Sequence, residues 1–323
     1  MCDIRKILSV ISVLMLLFIG VDSAAEDGKL TYKLIMKYPT NISFKYSYNE
    51  QSSMKRTIAD EKSEFKRNST TFFTLMNTEL QNSSIQKLEI KTDSIVHKIA
   101  NDSGEVAFTT KGFELEGLRN EDIEQYRLPV SREFSLIVSP YYEVADLKPS
   151  VALDLARIKL EKQKSKTAPA DYYLWKNSLA DERLYHITDI KKINLPLTRI
   201  ELDTTWESPI EFQIAGVTFY DTVKVKVSDE RGAYLFLESK FKANKFLKDP
   251  QIIYGFRDKP VIPTESDLNC IFKLTITPQG TIDDATMDVN GKIKFKTMDK
   301  EAIEIEDTIQ SVLKWKLMGR YNW

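Results

Sequence analysis

The sequence predicts a mainly β protein: two sequential antiparallel β-rich units, built as curved sheets or half-barrels, with a short helical insert between them. Three observations carry this. The stretch 134–146 recurs at 272–284 with the same order of apolar and turn-forming positions. Elsewhere apolar residues fall on alternate positions, the period of a strand with one buried face. Between the two halves, residues 147–194 abandon that period for helical spacing.

In the first copy Phe134, Leu136 and Val138 alternate, followed by Pro140, Val144 and Asp146. In the second Phe272, Leu274 and Ile276 alternate, followed by Pro278, Ile282 and Asp284. Apolar groups at every second position line one face of an extended chain. Proline has no N–H to give a ladder, so Pro140 and Pro278 end the first strand of each copy. Pro278-Gln279-Gly280 reads as a tight turn with Gly280 at positive φ. The first copy carries Tyr142 at that place, so its turn has to differ. Each copy is a predicted strand–turn–strand.

Residues 1–25 read as a secretory signal peptide. Arg5 and Lys6 form a basic start, residues 7–20 an apolar run, and Ser23, Ala24 and Ala25 supply small residues for cleavage. The run is short for a membrane span, so no transmembrane segment is expected after cleavage. Cys2 precedes the run and leaves with the peptide. The mature chain then holds Cys270 alone and no internal disulfide. A chain of about 300 residues is long enough to rest on its own core. So little cysteine in an exported protein points to a bacterial route, to the periplasm, the cell envelope or the medium. Sequons begin at Asn41, Asn68, Asn82 and Asn101; in most bacteria they carry no meaning.

The first β-rich unit spans 26–148. Ile42, Phe44, Tyr46 and Tyr48 alternate with Ser43, Lys45 and Ser47, a strong strand pattern. Residues 51–91 are polar, but their threonines with Phe72 and Phe73 favour strand over helix. Leu88 and Ile90 mark another half-buried strand. Asp102-Ser103-Gly104 is a turn, 106–113 a returning strand, and 114–125 a looser acidic piece.

The insert or linker spans 149–194. Val151, Leu155 and Ile158 repeat at helical spacing among good helix formers. The charged run 161–166 is solvated and Pro169 ends it. Tyr172, Tyr173 and Trp175 form an aromatic cluster, with Leu179 and Leu184 following at helical intervals.

The second β-rich unit spans 195–323. Val223, Val225 and Val227 alternate with Lys224 and Lys226. The turn 229–232 returns the chain through 233–241, the best hairpin in the sequence. Ala285, Met287 and Val289 lead into Asn290-Gly291, which signals a two-residue hairpin turn, with 292–296 completing the pair. At the C-terminus Ile305, Ile309 and Val312 suit a helix, and Leu313, Trp315 and Leu317 a strand after it.

Leu195-Pro-Leu197 and Asp203-Thr-Thr-Trp206 are similar to a motif of exported bacterial β-rich proteins of unknown function. Those proteins open a second β unit with a Leu-Pro segment and a Gly-Asp-x-Trp-like approach to a strand. Asp203 and Trp206 match the Asp and Trp, with an ambiguity in their spacing, and Leu202 stands where Gly is usual. The stretch 134–146 also resembles that family's strand–turn–strand. The resemblance implies a β-rich envelope or secreted protein and transfers no catalytic residue.

Positive and negative charges nearly balance, at 46 against 47, and interleave with apolar residues, so no basic stripe marks a nucleic-acid partner. His97 reads as a strand residue, and His186 sits among aromatics in the insert. Neither lies in a metal-type spacing, and no G-x-S-x-G elbow is present. Cys270 reads as a packed small hydrophobe. The run Lys164-Ser-Lys-Thr167 lacks the glycines of a phosphate loop. Glu121-Asp122 and Asp283-Asp284 read as solvated carboxylates, although the latter follows a turn and could offer oxygens to Ca²⁺. No catalytic, metal or cofactor residues are assigned. The expected function is an exported, non-catalytic β-rich protein that binds an apolar ligand such as lipid. The alternatives are a structural or protein-interaction module of the envelope, and a hydrolase whose carboxylates or Ser/His/Asp group meet only in the fold.

Overall fold

The computed structural model describes residues 21–26, 29–78, 85–110, 133–141, 143–256 and 259–322. The chain first forms β1 (Val21–Glu26), β2 (Lys29–Leu34), β3 (Ile42–Ile58), β4 (Glu61–Asn77), β5 (Gln86–Asn101), β6 (Gly104–Thr109), β7 (Glu133–Val138) and β8 (Val144–Pro149). Three helices follow: α1 (Val151–Gln163), α2 (Pro169–Ser178) and α3 (Asp181–Thr188). Then come β9 (Ile200–Glu201), β10 (Thr205–Ile214), β11 (Val217–Arg231), β12 (Tyr234–Ala243), β13 (Val261–Ile276), β14 (Ile282–Thr297) and β15 (Glu304–Asn322). The fold is mainly β with a helical insert, as the periodicities predict.

β1, which lies almost wholly within residues 1–25 read as the signal peptide, pairs with β2, and β2 pairs with β9, making a small sheet that keeps only β2 and β9 if that peptide is removed. The other strands make one 12-stranded antiparallel sheet, ordered β10-β11-β12-β13-β14-β15-β3-β4-β5-β7-β8, with β6 sharing with β7 the edge of β5 that faces away from β4. The segments 26–148 and 195–323 therefore share one continuous sheet. They are joined where β15 pairs with β3, from Ile305 opposite Ile58 to Asn322 opposite Ile42. Alternation places Phe44, Tyr46 and Tyr48 of β3 on the buried face, with Ile309, Leu313 and Trp315 of β15 and Phe272 and Leu274 of β13.

The two repeated stretches fold alike. β7–β8 pairs Phe134 with Pro149, Leu136 with Leu147 and Ile137 with Asp146, then shifts register to pair Val138 with Val144. β13–β14 pairs Phe272 with Met287, Leu274 with Ala285 and Thr275 with Asp284, then shifts to pair Ile276 with Ile282. Register and bulge coincide at a constant offset. Gly280 has φ 75°, as its turn requires. Tyr142 lies outside the described residues. In the β11–β12 hairpin the reversal falls at Gly232 and Ala233, with φ 57° and 69°, the doubly positive geometry that matches strand twist.

Two readings of the sequence are corrected. Asn290-Gly291 is not a turn: β14 runs straight through it, with Asn290 opposite Asn269 and Gly291 opposite Leu268. The glycine serves a close backbone approach, since a Cβ there would lie 2.0 Å from the carbonyl oxygen of Asp267. The C-terminal segment is one long strand with no helix. Its period is two, but Asp307 and Ser311 occupy inward positions and hide it. The helical spacing of Val151, Leu155 and Ile158 does form a helix, capped by the Ser150 hydroxyl accepting the Leu153 N–H at 3.3 Å. That stripe faces solvent, however, and Leu153 and Leu160 anchor α1 instead.

Candidate functional site

β8 and β10 end the strand order, so among the described residues each carries one edge without a strand partner in the large sheet. Both edges line a single open cleft of about 670 Å³, with Val144 and Leu147 from β8 and Pro209, Ile210 and Glu211 from β10. The sheet therefore curls until its two edges meet across a gap, and the insert fills the gap from inside. α3 and residues 189–194 form the floor of the cleft, contributing Asp181, Glu182, Tyr185, Lys191, Lys192 and Asn194.

The floor is pinned to the sheet at many points. The indole Nε1 of Trp315 donates to the Ile187 carbonyl at 2.8 Å. Asn194 donates its backbone N–H to Ser208 Oγ at 2.6 Å, and Trp206 Nε1 donates to the Asn194 carbonyl at 2.9 Å. Leu195 N–H reaches the Tyr141 carbonyl in the β7–β8 turn at 2.9 Å. The concave side, which the sequence offers as ligand space, is thus occupied here by the protein's own insert.

His186 centres a buried polar relay. Its Nδ1 accepts from the Gln213 N–H at 3.0 Å and faces Lys192 Nζ at 3.4 Å. Nδ1 therefore carries no proton, and Nε2–H donates to the Tyr48 hydroxyl at 2.9 Å. Tyr48 donates to Glu50 Oε2 at 3.3 Å, and Glu50 Oε1 accepts from Ser52 and from Arg67, each at 3.2 Å. Through this relay the insert satisfies the polar groups that β3, β4 and β10 turn inward, which buried groups require.

Burial, reinforced by the cations of Lys192 and Arg183, holds the His186 pKa well below its ordinary 6.5. Burial also lowers Lys192 to about 8, against the pull of Asp189 and Glu211. Its Nζ donates to the His186 carbonyl at 2.6 Å and lies 5.0 Å from the Trp315 ring. Lys191, bonded to Asp189 at 3.2 Å, is lowered by burial as well. Glu211 is raised by burial, and Tyr185 is raised by burial and then by Asp189.

These directions set the pH dependence of stability. Below about 6.5 the unfolded chain takes a proton on His186 that the fold refuses, so stability is complete above that pH and falls as the pH drops. Between about 8 and 10.5 the unfolded chain keeps a proton that folded Lys192 has shed, so this group adds stability as pH rises through that window. Urea unfolding across pH should show both limbs. His186→Gln should flatten the acid limb, and Lys192→Met the alkaline one; unchanged limbs would remove the assignment.

At the mouth of the cleft Asp221 is shielded by burial, yet Lys245 at 2.5 Å and the Thr222 N–H hold its carboxyl below the usual range. Tyr220 is exposed beside it. The site thus combines apolar side chains from both sheet edges with a polar set of both signs. That arrangement suits binding a molecule with an apolar body and a polar end.

The other residues singled out in the sequence lie elsewhere. His97 is fully buried on β5, opposite Ser69. Cys270 faces the core, and burial pushes its thiol up to about 12, far from a thiolate. Asp283 and Asp284 open β14, with Asp284 between Thr275 and Lys316. Residues 164–166 form one 3₁₀ turn. Glu121-Asp122 lies outside the described residues. Of the sequon asparagines, Asn41, Asn68 and Asn101 are exposed, and Asn82 lies outside the described residues. The lysine pair of the floor, Tyr185 and Glu211 escaped sequence reasoning. Their only signal is a charged doublet before Ile193. Among the described residues no helix is long and apolar enough to cross a membrane.

No family model and no curated protein matches this chain. Among solved structures it is similar to lipovitellin, described for its lipid–protein interactions, at 13% identity and a TM-score of 0.43. That match covers 88% of this chain and 26% of the other, so the chain spans about a quarter of the lipovitellin chain's length. It is also similar to an outer membrane channel from Pseudomonas putida, at 7% identity and a TM-score of 0.23 over 88% of this chain and 98% of that one. A third is Acinetobacter baumannii OccAB4, at 8% identity and a TM-score of 0.22 over 87% and 99%.

Proposed function

We propose that this protein is an exported, non-catalytic binding protein whose cleft between β8 and β10 holds an amphipathic molecule such as a lipid. The observation that carries the reading is the sheet's failure to close. Two edges that have no strand partner among the described residues face one open cleft of about 670 Å³, a size typical of small-molecule sites. The apolar part of the ligand lies along Val144, Leu147 and Ile210, and its polar end meets Glu211, Asp221 and Lys245. Export rests on the basic, apolar and small-residue order of residues 1–25. The absence of catalysis rests on His186, spent on a structural relay, and on Cys270, a protonated thiol in the core.

Native mass spectrometry of protein purified from an exporting host, with organic extraction, tests this directly. An adduct of lipid mass is expected, reduced at least tenfold by Leu147→Arg in variant protein that keeps the native circular dichroism. A clean unliganded mass would overturn the proposal. An adduct indifferent to Leu147→Arg would remove it from the cleft.

A further inference from the structure

α1 displays an apolar stripe to solvent. Val151 is 76% exposed, Leu155 59% and Ile158 49%. At helical spacing these three project from one side of the helix, and Lys162 continues the same row. Lys159, Lys164 and Lys166 are exposed nearby, and among the described residues none of these four lysines is in a salt bridge. Asp154 and Glu161 are exposed on the same helix and Lys164 lies 4.9 Å from the Tyr172 ring centre, so over 151–166 these four lysines exceed the two carboxylates by two. An uncovered apolar row beside a surplus of cations has the composition of an element that lies in a membrane interface.

The position of α1 adds the second argument. α1 follows β8, whose Val144 and Leu147 wall the cleft. Its Arg157 donates to the Leu179 carbonyl at 2.6 Å and to Asp181 at 2.5 Å, and Asp181 is itself a cleft residue. α1 is therefore tied through Arg157 to the start of α3, which lines the cleft. The geometry points to α1 as the docking element of this protein on an anionic lipid surface. Val151, Leu155 and Ile158 enter the interface while the lysines meet anionic headgroups. The inference stands on α1 itself, so its failure leaves the proposed ligand site untouched.

The test is cosedimentation of the full chain with phosphatidylcholine vesicles, with and without phosphatidylserine. Binding is expected only with phosphatidylserine, weakening as salt is raised. Leu155→Ser with Ile158→Ser should weaken it tenfold or more. Each Lys→Gln change among the four should cost about fivefold. All these positions are exposed, so circular dichroism and the unfolding midpoint should not move. Equal binding to both vesicles, or full binding by the Leu155→Ser and Ile158→Ser variant, would overturn the inference. So would a concentration-dependent dimer abolished by that variant, which would make the row a contact between copies of this chain.

Discussion

Asp307→Ala should be among the most damaging single changes in this protein, lowering unfolding free energy by about 3–5 kcal/mol. Asp307 on β15 lies directly opposite Arg56 on β3. The guanidinium binds both carboxylate oxygens at 2.7 Å, and the two side chains are 4% and 0% exposed. Arg56 also donates to the Tyr254 carbonyl and lies 5.0 Å from the Phe65 ring centre. Removing the carboxylate leaves a buried cation with one neutral acceptor, which costs more than the pair itself contributes. The double variant Arg56→Met with Asp307→Leu should therefore recover most of the loss. Urea denaturation of the single and double variants reads both numbers. A loss under about 1 kcal/mol in Asp307→Ala would mean that water reaches the site and that the pair is not desolvated.

Trp315→Ala is the second large effect, also about 3–5 kcal/mol. The ring is fully buried, with its centroid 5.0 Å from Tyr48 and 5.9 Å from His186, and its N–H holds the Ile187 carbonyl. It is the main bolt between β15 and α3. The loss should accordingly be uneven. Amide exchange in α3 and residues 189–195 should accelerate more than exchange in β14, and ligand capture in the cleft should fall with it. Trp315→Phe keeps a ring but strands a buried carbonyl, and should cost about 1–3 kcal/mol. Uniform acceleration across sheet and insert would show that Trp315 serves the core alone.

The first prediction rests on a residue whose importance was illegible in the chain, whereas Trp315 stood out as an apolar strand position. Asp307 breaks the apolar alternation of β15, so the segment reads as helix followed by strand. Only Arg56, 251 residues away, turns that aspartate into an inward-facing group. Ser311 does the same through Ser52. By contrast the β11–β12 hairpin and the two repeated hairpins were legible, because apolar side chains hold most of their inward positions and two of the three turns carry glycine at positive φ, Gly232 and Gly280. The Asn290-Gly291 pair misled for the opposite reason. Its chemistry is that of a turn, but the neighbouring β13 backbone leaves room there only for glycine.

The sequence by itself determined the mainly β class, the place of the helical insert and the hairpins whose strands lie next to each other in the chain. Those features depend on energies between near neighbours: side-chain alternation, turn dihedrals and a serine cap. The tertiary structure alone decided that β15 joins β3 to make one sheet, that Glu50, Arg56 and Asp307 face inward, and that the insert seals the concave side. It alone brought β8 and β10 to opposite sides of one cleft. Each of those outcomes turns on a hydrogen bond, an ion pair or a packed ring between residues far apart in the chain, and no local pattern records such a partner.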